Sequence, residues 1–297
     1  MALTDARSTF VESFLAGVNS NENHMAVAAA AGNIRYDDVP VLKRSAITAN
    51  GLGSIDAWNG TADPDSHSMD SPYSTTGTYA EYSSTVKISK LSAADQKGLI
   101  AQAGEALGFS TSYTLANLLM SKVTAGFTDD TYSAGIAVYS DSHVVRGGGT
   151  FNNRIASALD RTSFSTALAT MRQWVSYEGH TVDAAAAGGA GLILLVPPEL
   201  ETTARELIES DLSGSGNQRN TLKDMGVQVT VSSQITDSDS WQLINAKHKP
   251  CTLWVRSAPE FDMFTDQYTH STVLRVSFAA VGMYEPQPDF AVGSIPA

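Results

Sequence analysis

Cysteine occurs once in the 297 residues, at Cys251. A single thiol excludes an intramolecular disulfide and a four-thiolate structural zinc site, and its simplest setting is a reducing compartment at synthesis. Positive charge is also scarce: 19 Lys and Arg stand against 31 Asp and Glu, a formal net charge of −12. A chain this short of clustered cations does not wrap nucleic acid through its phosphates. Long hydrophobic runs are missing. The most apolar stretch, Gly188 to Pro198, falls far below the ~20 residues a spanning helix needs, so no membrane segment is expected. The opening residues carry no basic region ahead of an apolar block, so no secretory signal is expected either. Charged residues make up 17% of the chain and hydrophobic ones 42%, enough for a sizeable core. The length fits two domains or one large elaborated one. The polar remainder is built from Ser, Thr, Asn and Gly more than from ion pairs, which suggests a surface that meets other protein.

Enzyme signatures are missing too. Gly147 to Gly149 lead into Thr150 and Phe151 instead of a Lys-Ser/Thr pair, so there is no phosphate loop. The run Leu212 to Gly216 lacks the first glycine of a serine nucleophile elbow. The six histidines are scattered without an HExxH pair, and no metal or cofactor site is expected. His143 beside Asp141 and His180 beside Asp183 are the only candidate bases, and both read better as surface or turn residues. Cys251 sits in an apolar strand pattern and reads as core. Asn59-Gly60-Thr61 fits a glycosylation site, but reads more simply as a turn.

What is present is periodicity. Phe10, Val11, Phe14, Leu15 and Val18 follow helical spacing, and their apolar face needs a partner, either the same domain or a neighbouring subunit. From Asn33 to about Lys90 the composition turns to Gly, Ser, Thr, Asp and Pro, flanked by strand-like IRYDDVPVLKRSAIT and TYAEYSSTVKISK. This predicts two long strands joined by a polar tip without a core of its own. Trp58 in that tip is better explained by a partner surface. Ser92 with Asp95 predicts a helix start, and the helix would run to about Thr124 with a break near Gly108, since Gly98, Gly104 and Gly108 each weaken it. Strand-like residues follow around Ser133 to Val145. A second helix is predicted from about Ser163 to Glu178, with Gly179 as its cap. Leu192 to Val196 reads as a buried strand, and Pro197-Pro198 open a third helix with Leu200, Ala204, Leu207 and Ile208 facing inward. Further strands are expected at Val227 to Ser233, Trp241 to Asn245, Thr252 to Arg256 and Thr272 to Val281. Trp174, Trp241 and Trp254 read as core. The order predicts an α+β chain with a small mixed sheet flanked by helices.

Several of these pieces, in this order, resemble the major capsid proteins of tailed phages, most nearly the Mu-type major head subunits. They are Val86 to Leu91 entering the long helix that ends in Leu118-Leu119-Met120, and Val138-Tyr139-Ser140-Asp141-Ser142-His143 followed by a glycine turn and Asn152-Asn153. Leu168 to Met171, the Val196-Pro197-Pro198 strand-to-helix junction with Glu199 to Ala204, Asp237 to Trp241, and Pro259 to Gly282 complete the set. The resemblance implies the tailed-phage capsid fold. It would place an N-terminal arm at 1–32, an extended hairpin loop at 33–90, a peripheral domain with a spine helix at 91–159 and 258–297, and an axial domain at 160–257. It implies a non-enzymatic head protein that assembles with itself into hexamers and pentamers of an icosahedral shell. That shell would enclose double-stranded DNA without sequence-specific binding. Portal and scaffolding proteins are implied partners, and a decoration protein a further one. The chain would be made in the host cytoplasm and end in the virion. An encapsulin-like compartment of the same fold, enclosing protein cargo, is the alternative. Phe10, Phe14, Leu15, Trp58, Tyr73 and Tyr79 are the candidate contacts between subunits.

Overall fold

A computed structural model describes residues 3–37, 42–48, 73–89, 92, 98–128, 135–145, 148–177, 179–185, 191–212, 219–285 and 290–296. The first third holds helices α1 (Leu3–Ser20) and α2 (Glu22–Ala31), then strands β1 (Asn33–Tyr36), β2 (Lys43–Thr48), β3 (Tyr73–Thr78) and β4 (Ala80–Ile88). Helix α3 (Leu99–Ala125) is followed by short strands β5 (His143–Val144), β6 (Thr150–Phe151) and β7 (Arg154–Ile155), then α4 (Arg161–Arg172), β8 (Trp174–Val175) and β9 (Thr181–Val182). Strand β10 (Leu192–Val196) leads through a 3-10 turn into α5 (Glu201–Glu209). Strands β11 (Gln228–Val231), β12 (Trp241–Asn245), β13 (Cys251–Thr265), β14 (Thr272–Tyr284) and β15 (Ala291–Ser294) complete the chain. Among the described residues no helix is long and apolar enough to cross a membrane.

The chain divides into two compact units. The first takes Met1–Arg44, Gly77–Ser121 and Thr252–Met283; the second takes Ser45–Thr76, Lys122–Cys251 and Tyr284–Ala297.

In the first unit a four-stranded sheet has the order β1-β13-β14-β4, with β1 parallel to β13 and β4 antiparallel to β14 over nine residue pairs. Its inner face closes on Phe10, Phe14, Ile88, Ile100, Leu107, Leu274 and Val276. Strand β13 runs far past the expected end at Arg256. Its partner β1 stops opposite Val255, so among the described residues the next stretch is an edge, where Pro259 without an N–H is tolerated. Helix α3 continues unbroken through Gly104 and Gly108, against the expected interruption there. The expected start at Ser92 adjoins 93–97, outside the described residues; Ser92 itself donates its N–H to the Ser89 hydroxyl.

The second unit is built on a five-stranded mixed sheet of order β11-β10-β12-β15-β7. Every residue of β10 and β12 is buried: β10 is apolar throughout, and the two polar residues of β12 are paired, Gln242 accepting the Tyr139 hydroxyl and Asn245 donating to the Ala184 carbonyl. Ala204 and Ile208 of α5 are buried against this sheet, and Leu200 and Leu207 pack at its margin. Asp160 caps α4 through a reciprocal bond pair with Ser163, so this helix begins before the expected Ser163. It also ends early. Trp174 leaves the helix as β8 and pairs with β9, and Gly179, expected as a helix cap, takes a positive φ in the hairpin turn between them. Residues 122–159 cluster in this unit, apart from the 91–121 segment with which they were grouped in sequence. The reason is local. Phe127 and Tyr139 pack so closely on Gly293 of β15 that a Cβ there would lie 2.7 Å from both rings.

Candidate functional site

His143, one of the two candidate bases, is buried at 2% exposure at the centre of a closed polar knot. Its Nε2 lies 3.1 Å from the Val138 carbonyl and 3.0 Å from Asn153 Oδ1, both acceptors, so this nitrogen carries the proton. Asn153 is fully saturated. Its Oδ1 also accepts the Ser140 N–H, and its Nδ2 donates to the carbonyls of Val138 and Ala291. Its main chain bonds Ser140 and Gly293 as well. One asparagine therefore ties the 138–143 segment to β15. Burial pushes the His143 pKa down, opposed by its bonds to Asn153 and Val138 and by the charge of Asp141. This ring orients backbone and has its donor consumed by carbonyls, so it is a structural histidine instead of the surface residue expected. The strand-like reading of Ser133 to Val145 has the same origin. Val138, Tyr139 and His143 are buried as anchors of a mostly irregular segment, and among the described residues 135–145 only His143–Val144 form strand.

The second candidate base, His180, is exposed at the β8–β9 hairpin, and Asp183 spends a carboxylate oxygen on the Ala185 N–H. Cys251 is buried, as expected of a core residue. Trp174 and Trp241 are core, at 3% and 0% exposure. Trp254 departs from that reading. It is half-buried under the Arg44 guanidinium, 3.2 Å from its ring centre, with Arg35 at 5.5 Å, and Arg44 also pairs with Asp37. Cation–π contact holds this ring at the surface of the sheet. Among the described residues no three His, Cys, Asp or Glu side chains gather as a metal site.

The candidate subunit contacts separate into three groups. Phe10 and Phe14, at 0% and 4% exposure, are buried within their own unit against Phe261, with ring centres 5.8 and 5.4 Å away. Their expected place at a neighbouring subunit is corrected: the face they need is supplied by α3 and the sheet. Close approach makes this possible. A Cβ on Gly104 would collide with Ser13, and one on Gly108 with the main chain of Phe14. Tyr79 is likewise buried, at 9% exposure. Leu15, on the opposite face of α1, is 52% exposed. Trp58 and the side chain of Tyr73 lie outside the described residues, as does the tip between β2 and β3. Those two strands do pair as a ribbon, with the Ser45 and Thr76 hydroxyls 3.1 Å apart.

Sequence reasoning missed a column of parallel rings on the outer side of α3. His24 stacks on Tyr113 at 5.1 Å, and Tyr113 on Phe109 at 6.1 Å. Phe109 and Tyr113 are each 45% exposed. Their i, i+4 spacing was the available signal. Tyr268, at the turn between β13 and β14, is 97% exposed on a loop pinned by Asp266, whose Oδ1 accepts the Tyr268 N–H. Charged residues of the second unit pair mutually, as Lys223 with Asp211 and Arg219 with Asp224.

Comparison with known proteins gives a consistent result. The model of a family described as phage capsid protein matches residues 72–287. No curated protein matches the sequence. The fold is similar to the capsid of the cyanophage P-SCSP1u, with a TM-score of 0.59 and 13% identity over 90% of this chain and 86% of that one. It is similar to the mature capsid of bacteriophage PhiM1, with a TM-score of 0.57 and 11% identity over 90% and 86%. A virus-like particle from Pyrococcus furiosus shares the fold at a TM-score of 0.52 and 10% identity over 97% and 98%. The family match is coarser than the Mu-type subunits that the motifs resemble.

Proposed function

The chain belongs to the phage capsid protein family, and on that premise we propose that it is the major head subunit of a tailed phage, arranged as hexamers and pentamers around double-stranded DNA. The observation that carries this reading is the family match across 72–287, which takes in the spine helix, all of the first sheet but β1, all of the second sheet but β15, and the long β13–β14 hairpin. Self-association into a shell and a place in the virion follow from the family. The chain's work is structural.

The physical features support the same reading. The net charge of −12 keeps packaged DNA from adhering to the wall that confines it. The first unit, with α3 and the long hairpin, fits a peripheral domain, and the second, with its five-stranded sheet, an axial domain. The β2–β3 ribbon fits the base of an extended loop that gains its order from neighbours, with Trp58 and Tyr73 among its contacts. Leu15 is the residue of α1 left for another subunit. Portal and scaffolding proteins are the further partners that a DNA-filled head requires.

Purifying particles from cells expressing the chain, and from the phage that encodes it, tests the reading. Shells that carry double-stranded DNA in the virion support it. Shells filled with a protein cargo and lacking DNA would favour a cargo compartment instead.

A further inference from the structure

Among the described residues the sheet of the first unit ends in two open edges, and their backbone directions match. Ala279 turns its N–H toward β13, where it donates to the Ser257 hydroxyl at 2.9 Å. Its partner across the ladder is Glu81, so that pair is not hydrogen-bonded. Glu81, Ser83, Thr85 and Lys87 therefore point N–H and C=O away from β14. Among the described residues nothing continues the sheet beyond them. At the other end the Asp37 N–H donates to Val255, so in β1 the groups of Ile34 and Tyr36 face outward. Both edges are exposed, and Tyr36 is 65% accessible.

Building on the capsid reading above, we propose that the β4 edge of one subunit receives the β1 edge of the next copy, joining their sheets head to tail. Strand β14 turns back on β13, β4 runs antiparallel to β14, and β1 runs parallel to β13. Hence β4 and an incoming β1 meet as a parallel pair with inner faces on one side. Such a joint uses two different surfaces of one chain, the arrangement that closes into rings.

Register follows from three constraints. Outward groups at 34 and 36 can bond only to a residue opposite Arg35 whose own groups point outward, which restricts that residue to 81, 83, 85 or 87. The Leu42 carbonyl already accepts the Tyr79 N–H, so an incoming β1 cannot start below Glu81. That rules out Arg35 opposite 81. Placing Arg35 opposite 85 or 87 would crowd it against Lys87. Opposite Ser83 it lies on the same face as Glu81, one pair away, and an ion pair across the joint becomes available. On the inner face the exposed Tyr36 then extends the row begun by Tyr82, which stacks on Phe278 at 5.2 Å.

A disulfide reads this joint directly. In one subunit β1 and β4 stand three strand spacings apart, ~14 Å, too far for a bond within the chain. The only native cysteine, Cys251, is buried. Shells assembled from the full chain carrying Arg35→Cys and Ser83→Cys should, on mild oxidation, run on non-reducing gels as a ladder ending in closed rings. Co-assembly of the two single variants should stop at dimers. Well-formed oxidised shells that still run as monomers would overturn the joint and leave the capsid reading intact. A parent chain that forms no shell would overturn both. If the cysteine pair blocks assembly, charge reversal decides: Glu81→Arg should impair assembly, and adding Arg35→Glu should restore it. Failure of that rescue overturns the proposal.

Discussion

Gly108 of α3 meets the main chain of Phe14 in α1 with no room for a side chain between them. Gly104 meets Ser13 and Phe10 one turn earlier, and Gly17 of α1 meets Glu105. Glycine at these positions lowers intrinsic helix stability, yet it lets two helices touch backbone to backbone and seats Phe10 and Phe14 in the core. Replacing Gly108 by alanine raises helix propensity and should still destabilise the subunit by about 1–3 kcal/mol through overpacking. Thermal unfolding of the variant and parent checks the sign, which an exposed glycine would reverse.

Truncating the aromatic ring tests the same seat from the other side. Phe14→Ser should cost about 3–5 kcal/mol, because it empties a buried site and adds a hydroxyl. The loss should appear in unassembled subunit and shell alike. A subunit that unfolds like the parent, with damage confined to assembly, would return Phe14 to a contact between subunits.

Acid should loosen the knot around His143. Its pKa is lowered in the fold from an ordinary 6.5, so the unfolded chain takes up the proton first. Stability is then fully present above about pH 6.5 and is lost as pH falls through the lower folded value. His143→Gln keeps a donor and cannot titrate, so its stability should be flat where the parent's declines. An equal loss of unfolding free energy between pH 7 and pH 5 in parent and variant, read from denaturant titrations, would contradict this. Asp160, held below its ordinary 3.8 by its bonds to Ser163, contributes a separate loss at lower pH.

Leu207 on α5 packs at the margin of the second unit's core. Leu207→Asp should destabilise that unit by about 2–4 kcal/mol, as a carboxylate placed against β10 either stays charged at a cost or takes up a proton. Hydrogen exchange should report the loss in β10 and β12. Protection equal to the parent's would mean that this face of α5 is not packed.

The second unit was the more legible in the sequence. Leu192 to Val196 is a short apolar run bounded by turn residues, Trp241 to Asn245 a short segment centred on Leu243 and Ile244, and both are strands at those residues. The Pro197-Pro198 junction announced α5. The first unit was harder because its decisive contacts are long-range. Glycine in α3 reads locally as a helix breaker, and only the presence of α1 makes it a docking surface. Helix α2, rich in alanine, carries no amphipathic stripe to read. Trp174 has helical spacing from Met171 but pairs as strand with Val182, where tertiary contacts outweigh the local period. Of the candidate contact residues, aromatic character alone could not separate Phe10 and Phe14, which are core, from Leu15, which is exposed. That distinction depends on which face of α1 meets α3.

Electron cryomicroscopy of particles formed by the full chain tests the central claim most directly. The account predicts closed shells made of this chain, with fivefold and sixfold clusters into which both units fit and with α1 docked on α3 of the same subunit. Dispersed single subunits under conditions where the phage's own heads form, or shells whose repeating density cannot hold this fold, would contradict it.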